Sequence, residues 1–361
     1  MSCGHGPMMD YKRDKRIAVL APVAWRTPPC HYGAWETVAS NITEGLVARG
    51  WNVTLFATAN SVTKAMLHSV IPRGYQEDKS LDPKVVEYHH ISEAFEHAHE
   101  YDLLHSHYDF MALTYTAFVH VPVLTTIHGF SSSKILPIYH KYNKNSNVYF
   151  VSISDSDRAE GIDYCRTVYN GVELKKYDFV EAGGEDLIFI GRIHPDKGVE
   201  YAIETAKKCG RRLIIAGIIQ DEDYFNTLIK PAVDDRRILF IGPVTIEGKN
   251  KLFKQAYALL HLNVLPERFG LVLAEANAAG VPVIAMDRGS CREVIEHGET
   301  GFIVNSVDEA VSALEKVPSI LRSACRGRVE KKFSVERMVS SYEEVYQTIF
   351  TDQAKKKGAP E

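Results

Sequence analysis

The stretch Pro266-Glu267-Arg268-Phe269-Gly270-Leu271-Val272-Leu273-Ala274-Glu275 decides how the chain is read. An apolar run, 259–265, precedes it, and Leu271, Leu273, Ala274 and Ala278 then recur at helical spacing. The pattern predicts a buried strand, a short polar loop and a helix that starts near Gly270. The first amides of a helix have no partner within it, so those of Gly270, Leu271 and Val272 point outward, where phosphate is favoured. Gly270 also lets a ligand approach the backbone closely. Glu267 stands at the mouth of this helix, and Glu275, eight residues on, lies about two turns away. One acid near each end of a ligand with a central diphosphate suits a nucleotide sugar. Two glutamates at this spacing are also an ordinary loop acid and helix acid, so the weight comes from the rest of the chain.

The chain has 361 residues, 45% of them hydrophobic and 24% charged. That composition fits a soluble globular protein of about two domains. A net charge of -4 and a pI of about 6.4 supply no basic field for nucleic acid. The basic run Lys355-Lys356-Lys357 reads as a solvated tail. No apolar run reaches the ~18 residues of a spanning helix; the longest, 271–286, is broken by Glu275 and Asn277. Residues 1–15 are polar, lack a signal-peptide core and are expected to be a disordered tail. The six cysteines (Cys3, Cys30, Cys165, Cys209, Cys291, Cys325) contain no Cys-x-x-Cys. They point to a reducing cytoplasm without a disulfide frame or zinc site.

In the first half, 17–21 reads as a buried strand, followed by a loop with Pro22, Pro28 and Pro29 that ends in Tyr32-Gly33-Ala34-Trp35-Glu36. Trp35, Val38, Ile42 and Leu46 recur at helical spacing, Gly50 stops that helix, and 53–57 is the next strand. This is a βαβ unit without the G-x-G-x-x-G fingerprint. Gly33 either keeps the loop open toward a substrate or simply enters the helix. Further strands are expected at 103–105, 123–127 and 148–153, so the sheet is parallel with helices on both faces. Ligands then bind beyond the carboxyl ends of the strands, where His128-Gly129 and His105 and His107 lie. His128 is the candidate functional histidine, because Gly129 frees the backbone beside it. For the remaining crowd (His89, His90, His97, His99, His105, His107), no acid or cysteine partner is evident at ligand spacing, so solvated or capping roles are expected and no metal site. Asp155-Ser156-Asp157 and Asp221-Glu222-Asp223 read as helix caps.

Residues 173–184 are charged and aperiodic and include Gly183-Gly184, which places the domain boundary there, with 16–178 before it and 179–334 after it. A strand at 187–190 runs into Gly191-Arg192-Ile193-His194-Pro195-Asp196-Lys197-Gly198, and a helix follows with Val199, Ala202 and Ala206 on one face. Arg192 can fork across phosphate oxygens and Lys197 adds a compact charge, so together they suit the two charges of a diphosphate; solvated surface cations are the plain alternative. Strands at 213–216, 238–241, 259–262, 281–285 and 302–304 complete a second domain of similar build.

Taken in order, Gly191-Arg192-x4-Lys197-Gly198, Ile241-Gly242, Glu267-x-Phe269-Gly270-Leu271-x3-Glu275-Ala276-x-Ala278-x-Gly280-x-Pro282, Gly289-x3-Glu293 and His297-Gly298-x2-Gly301 resemble glycosyltransferase family 4, the group 1 retaining enzymes of GT-B fold. The first half agrees at the Gly33 loop, 102–107, Thr126-Ile127-His128-Gly129 and Tyr169-Asn170-Gly171. The resemblance implies two Rossmann-like domains facing a cleft, the first for the acceptor and the second for the nucleotide sugar. It implies that a helix over 335–350 crosses back to the first domain, with Met338, Tyr342, Val345 and Ile349 at helical spacing. It further implies that Arg192 and Lys197 bind the donor diphosphate, Glu275 the ribose, and Glu267 the transferred sugar. Amides of Phe269, Gly270, Leu271 and Val272 hold phosphate or sugar oxygens, His128 lies beside the anomeric carbon, and Gly33 closes over the diphosphate. The base stacks near Gly242. Where the family often has Gly-Gly, this chain has Gly33-Ala34, which restricts that loop.

The implied activity is metal-independent, retaining hexosyl transfer in carbohydrate biosynthesis, mannosyl or glucosyl first, from a donor such as a UDP-sugar or GDP-mannose to a sugar, glycan or lipid-linked hydroxyl. No cofactor beyond the donor is expected. Two cations and a helix dipole can stabilise a leaving diphosphate. Tyr108, Asp109 and the histidine-rich strand end are candidates to line the acceptor site. Attachment to a membrane surface is compatible with a lipid-linked acceptor. The alternatives are a sugar-nucleotide epimerase of GT-B-like fold and a non-catalytic sugar-nucleotide-binding protein.

Overall fold

The computed structural model describes residue 12 and residues 14–31, 33–129 and 132–358. Most of the expected disordered tail, and Tyr32 of the Pro-rich loop, lie outside the described residues. Lys12 and Lys15 are within them, and each holds an acid: Glu343 at 2.5 Å and Asp102 at 2.9 Å.

The chain divides into two units. The first runs to Gly171 and resumes at Val335; the second is Val172–Ser334. This division falls before the expected boundary between 178 and 179. The reason is local: Val172 N bonds Phe333 O at 2.7 Å and Val172 bridges Ser334, so the entering and leaving backbones pair inside the second unit.

The first unit holds seven parallel strands: β1 (Arg16–Leu20), β2 (Asn52–Phe56), β3 (Met66–His68), β4 (Leu103–Ser106), β5 (Val123–Ile127), β6 (Val148–Ser152) and β7 (Tyr164–Thr167). Their order is β3-β2-β1-β4-β5-β6-β7. The central strands β4 and β5 are buried along their whole length, and β1 at all but Arg16, as expected where both faces of a parallel sheet are covered. Edge strands β3 and β7 are short and only half-buried. The helices include α1 (Ala34–Ala48), α2 (Pro83–Glu96) and α3 (Leu136–Tyr142).

The second unit holds six parallel strands: β8 (Asp186–Ile190), β9 (Leu213–Ala216), β10 (Ile238–Phe240), β11 (Ala256–His261), β12 (Val283–Met286) and β13 (Gly301–Val304), ordered β10-β9-β8-β11-β12-β13. Its helices include α4 (Val199–Cys209), α5 (Ile246–Gln255), α6 (Leu271–Ala278), α7 (Val307–Leu314) and α8 (Arg322–Lys332). One core cluster joins Leu187, Phe189, Leu213 and Leu260 on one face of the sheet with Val199 and Ala202 of α4. In each unit the strand order reverses beside the first strand, between β1 and β4 and between β8 and β11. Open parallel sheets bind ligands at such a reversal, beyond the strands' carboxyl ends.

The last helix, α9 (Val335–Gly358), belongs to the first unit. Met338, Tyr342, Val345 and Ile349 are buried, as their spacing predicts. Gly45 of α1 leaves room for Val339: a Cβ there would lie 2.4 Å from Val339 Cγ2. Glu343 accepts from Arg49 at 2.7 Å and from Trp51 Nε1 at 2.8 Å. The expected solvated tail at 355–357 is instead part of this helix, and Lys356 donates to Ser146 O at 2.7 Å. One more expectation is corrected. No helix starts at Asp155; its carboxylate accepts from Thr167 Oγ1 of edge strand β7 at 2.5 Å. Asp221 does cap, accepting from Tyr224 N at 2.8 Å.

Candidate functional site

The site in the second unit is built on the loops that leave β8 and β11, on either side of the strand-order reversal. β8 delivers Arg192 and Lys197, and β11 delivers His261, Asn263 and Glu267. Helix α6 follows, with Gly270 at its N-cap in left-handed conformation (φ 76°). A Cβ on Gly270 would lie 2.7 Å from Leu273 Cδ1 and 3.0 Å from Glu267 Cγ, so the turn into the helix admits only glycine without strain. The amides of Gly270, Leu271 and Val272 have no acceptor among the described residues. Phe269 is buried, and its ring meets Phe333 edge-on at 5.7 Å, so only its backbone can face a ligand.

Each of the two acids is held by its own lysine. Glu267 Oε2 accepts from Lys197 Nζ (2.7 Å), Asn263 Nδ2 (2.6 Å) and His261 Nε2 (3.0 Å), and Oε1 accepts from Arg268 N (3.1 Å). Burial works against the charge of Glu267, but the Lys197 ammonium and the His261 ring outweigh it and hold the carboxyl well below the usual carboxylate range. Burial also pushes the His261 imidazole down, so this ring is neutral and gives its Nε2 proton to Glu267. Glu275 is buried one turn into α6, where Lys249 Nζ of α5 reaches its Oε2 at 2.6 Å. The Tyr177 hydroxyl also hydrogen-bonds Glu275, and burial raises that phenol's pKa.

The expected diphosphate cations are therefore in different situations. Lys197 is committed to Glu267, whereas Arg192 donates to the amide oxygen of Gln220 and has no acidic partner among the described residues. Gly242 follows β10 with its Cβ side open, and its carbonyl accepts from Gly217 N at 2.9 Å.

The first unit carries a separate cluster around His128. Nε2 of His128 shares a hydrogen bond with Nδ1 of His107 at 2.9 Å, and Trp35 stacks on the His128 ring at 5.4 Å. His105 bonds Tyr346 OH of α9 and Thr126 Oγ1, each at 2.8 Å. Burial pushes His105 and His128 down to about 3 and His107 well below the imidazole range. The expectation of solvated or capping roles for His90, His105 and His107 is corrected: all three are buried and burial holds their rings neutral. His90 lies on the sheet-facing side of α2 with Nε2 2.9 Å from Ala21 O, His105 within the fully buried β4 and His107 just beyond it. His97 does have an acidic partner at helical ligand spacing, Glu93. Tyr108 lies in the core with its OH accepting from Val23 N, while Asp109 is buried with its carboxyl pushed up to about 6 by desolvation. Gly33 enters α1 at φ 145°, its carbonyl taking Thr37 N at 3.0 Å; Glu36 Oε2 would be 2.9 Å from an added Cβ.

The sequence profile described as Glycosyl transferases group 1 matches residues 175–332, and that of Glycosyltransferase Family 4 matches 35–176. The chain belongs to the group 1 glycosyltransferases. Among its relatives is an uncharacterized glycosyltransferase of Methanocaldococcus jannaschii, 24% identical over 330 residues, 79% of this chain and 84% of the relative. Among solved structures are AviGT4, a glycosyltransferase involved in avilamycin A biosynthesis (22% identity, TM-score 0.72, 93% of this chain and 98% of that one), and HepE of Anabaena in complex with UDP and glucose (19%, 0.72, 92% and 99%). The fold is GT-B, with two parallel-sheet Rossmann-like domains. The protein is a nucleotide-sugar-dependent glycosyltransferase.

Four residues of this glycosyltransferase site were not singled out from sequence: Lys249, Tyr177, His261 and Asn263. His261 and Asn263 sit six and four residues before Glu267 at the end of an apolar run, a legible cue. Lys249 and Tyr177 reach Glu275 only through the packing of α5 and the chain entering the second unit.

Proposed function

We propose that this glycosyltransferase moves a hexosyl unit, glucosyl or mannosyl, from a nucleoside diphosphate sugar to a hydroxyl of a sugar, glycan or lipid-linked acceptor, with retention and without a metal. The observation that carries this reading is the pair of lysine-anchored acids, Glu267–Lys197 and Glu275–Lys249, set before and after the open amides that start α6. Those amides and Arg192 receive the diphosphate and stabilise its charge as it leaves. Glu275, oriented by Lys249 and Tyr177, accepts from the ribose hydroxyls. Glu267 accepts from hydroxyls of the hexose, and the base lies against the open side of Gly242. The neutral ring of His128 serves the transferred sugar as a hydrogen-bonding group, and the Gly33 loop serves the phosphates. The UDP and glucose bound by HepE make UDP-glucose the first donor to try.

Glu267 is buried and fixed by three donors on Oε2, while Oε1 takes only the Arg268 amide and keeps room for a sugar hydroxyl, which suits a fixed acceptor better than a nucleophile. Retention then follows from attack on the face that the diphosphate leaves, with the departing phosphate taking the proton of the acceptor hydroxyl. A reducing cytoplasm fits the free thiols of Cys30, Cys165, Cys209, Cys291 and Cys325. No helix among the described residues is long and apolar enough to cross a membrane.

The test is nucleotide release from a panel of UDP-, GDP- and ADP-sugars, with and without acceptor sugars, after a thermal-shift screen of the same donors. The reading expects one donor to raise Tm and to turn over, with turnover lost in Glu267→Ala and Glu275→Ala. Donor binding and turnover that both survive these substitutions would overturn it.

A further inference from the structure

A second cluster of chemistry-bearing side chains lies in the first unit, among residues that the transfer reaction does not use. His68 ends edge strand β3. Glu93 and His97 stand one turn apart at the end of α2, which crosses the sheet beside it. The ring of His68 reaches Glu93 Oε1 with its Nε2 at 2.8 Å, and His97 Nε2 lies 3.2 Å from the same oxygen. One ligand atom from each of the three residues falls within 4.8 Å of the others. Ligand distances of 2.0–2.1 Å around a tetrahedral zinc ion imply edges of about 3.3 Å, so the two nitrogen–oxygen distances already match two edges of such a polyhedron and the nitrogen–nitrogen distance is within 4.8 Å.

Two further contacts point the same way. His97 Nδ1 is 2.6 Å from Glu100 Oε1, the outer carboxylate–histidine arrangement that fixes a metal-ligating ring and keeps its proton on the nitrogen facing away from the ion. Phe56 stacks on the His68 ring at 4.6 Å and 27°, which holds that ring in place. All three side chains remain part-exposed, so an ion can enter. We propose that His68, Glu93 and His97 form a site for a zinc-class divalent ion, with Glu100 as its outer carboxylate. Two imidazoles and one carboxylate are the ligand set that zinc, nickel and copper take, and a fourth position is left for water. When the ion binds, it replaces the hydrogen bonds that Glu93 now takes from both rings, and His97 keeps its Nδ1 proton on Glu100. The ion then clips the three-residue edge strand β3 to α2. The site is independent of the donor site, and its occupancy is not required for transfer.

The experiment titrates cobalt chloride, then zinc chloride, into the full chain after chelator treatment and dialysis, with visible absorption and calorimetry as readouts. The proposal expects one equivalent of cobalt to give the intense ligand-field absorption of a four-coordinate site, and zinc to displace it. Saturating zinc, at about 100 times its Kd, is expected to raise Tm by about 5–10 °C. His68→Gln and His97→Gln should each abolish the cobalt spectrum, while Glu100→Gln, which removes only the outer acid, should weaken binding by about 10- to 100-fold. Nucleotide release should be unchanged in all three variants. Absence of saturable binding, or a cobalt spectrum and stoichiometry that survive both histidine substitutions, would overturn the proposal; the second result would assign the ion to other ligands.

Discussion

The pair formed by Lys197 and Glu267 allows a quantitative test by double-mutant cycle. The two groups are 2.7 Å apart, with side-chain exposures of 20% and 12%. At an effective dielectric of about 20, Coulomb's law gives roughly 6 kcal/mol of gross attraction at that distance. Desolvation offsets much of this, and removal of one partner from a buried pair costs about 3–5 kcal/mol because the other charge stays behind. In Lys197→Ala, His261, Asn263 and the Arg268 amide still satisfy Glu267, which sets the expectation at the low end, about 3 kcal/mol. Adding Glu267→Gln removes the stranded charge, so the double variant should recover about 2 kcal/mol relative to the sum of the single changes. For a domain of this size, 3 kcal/mol corresponds to a fall in Tm of about 6–12 °C. Calorimetry or urea melts followed by circular dichroism give the cycle. An internal control exists, because Trp25, Trp35 and Trp51 all lie in the first unit, so tryptophan fluorescence follows that unit alone. A coupling energy below about 0.5 kcal/mol would refute the claim that the two charges are mutually dependent.

Three further outcomes are expected. Burial pushes Glu36 up to about 7, against 4.5 when exposed, so the unfolded chain loses this proton first and stability falls as pH rises from about 4.5 to 7. Glu36→Gln should therefore flatten the profile and be more stable than the parent by about 3 kcal/mol at pH 8 and by little at pH 4.5, as read by melts across pH. Gly270→Ala should cost about 2–3 kcal/mol, from a left-handed backbone and a 2.7 Å contact with Leu273, and should weaken UDP binding measured by calorimetry. Lys249→Ala should leave Glu275 with the Tyr177 hydroxyl but no cation and raise the Kd for the nucleotide by about 10-fold or more, whereas an unchanged Kd would separate Glu275 from nucleotide binding.

Much of the fold was legible because central parallel strands are written as short runs rich in apolar and β-branched residues. Val123–Ile127 (Val-Leu-Thr-Thr-Ile) is buried at every position, and its two threonines are β-branched, so the run still reads as a strand. Edge strands β3 and β7 were not legible, since one face of each meets solvent; Met66 is 70% exposed. The start of α6 was legible from Gly270 and the apolar pattern after it. The partners of its acids were not, because Lys249 and Tyr177 meet Glu275 through tertiary packing that no spacing encodes. Two of the three proposed metal ligands are written locally as Glu93 and His97, one helical turn apart. The third, His68, is brought there by pairing of β3 with β2. Asp155 shows the opposite error: a local capping signal lost to a neighbouring strand.

Helix α9 has a consequence for biosynthesis. Its tyrosines 342 and 346 dock on Thr126 and His105 of strands made more than two hundred residues earlier. On a ribosome, every strand of both sheets is therefore synthesised before the piece that closes the first core. The later-made unit, contiguous in the chain, can finish first, while the earlier one waits with an uncovered apolar flank. A stop codon between Val304 and Val335 would leave that flank bare, an aggregation defect in a product whose strand-forming sequence is complete.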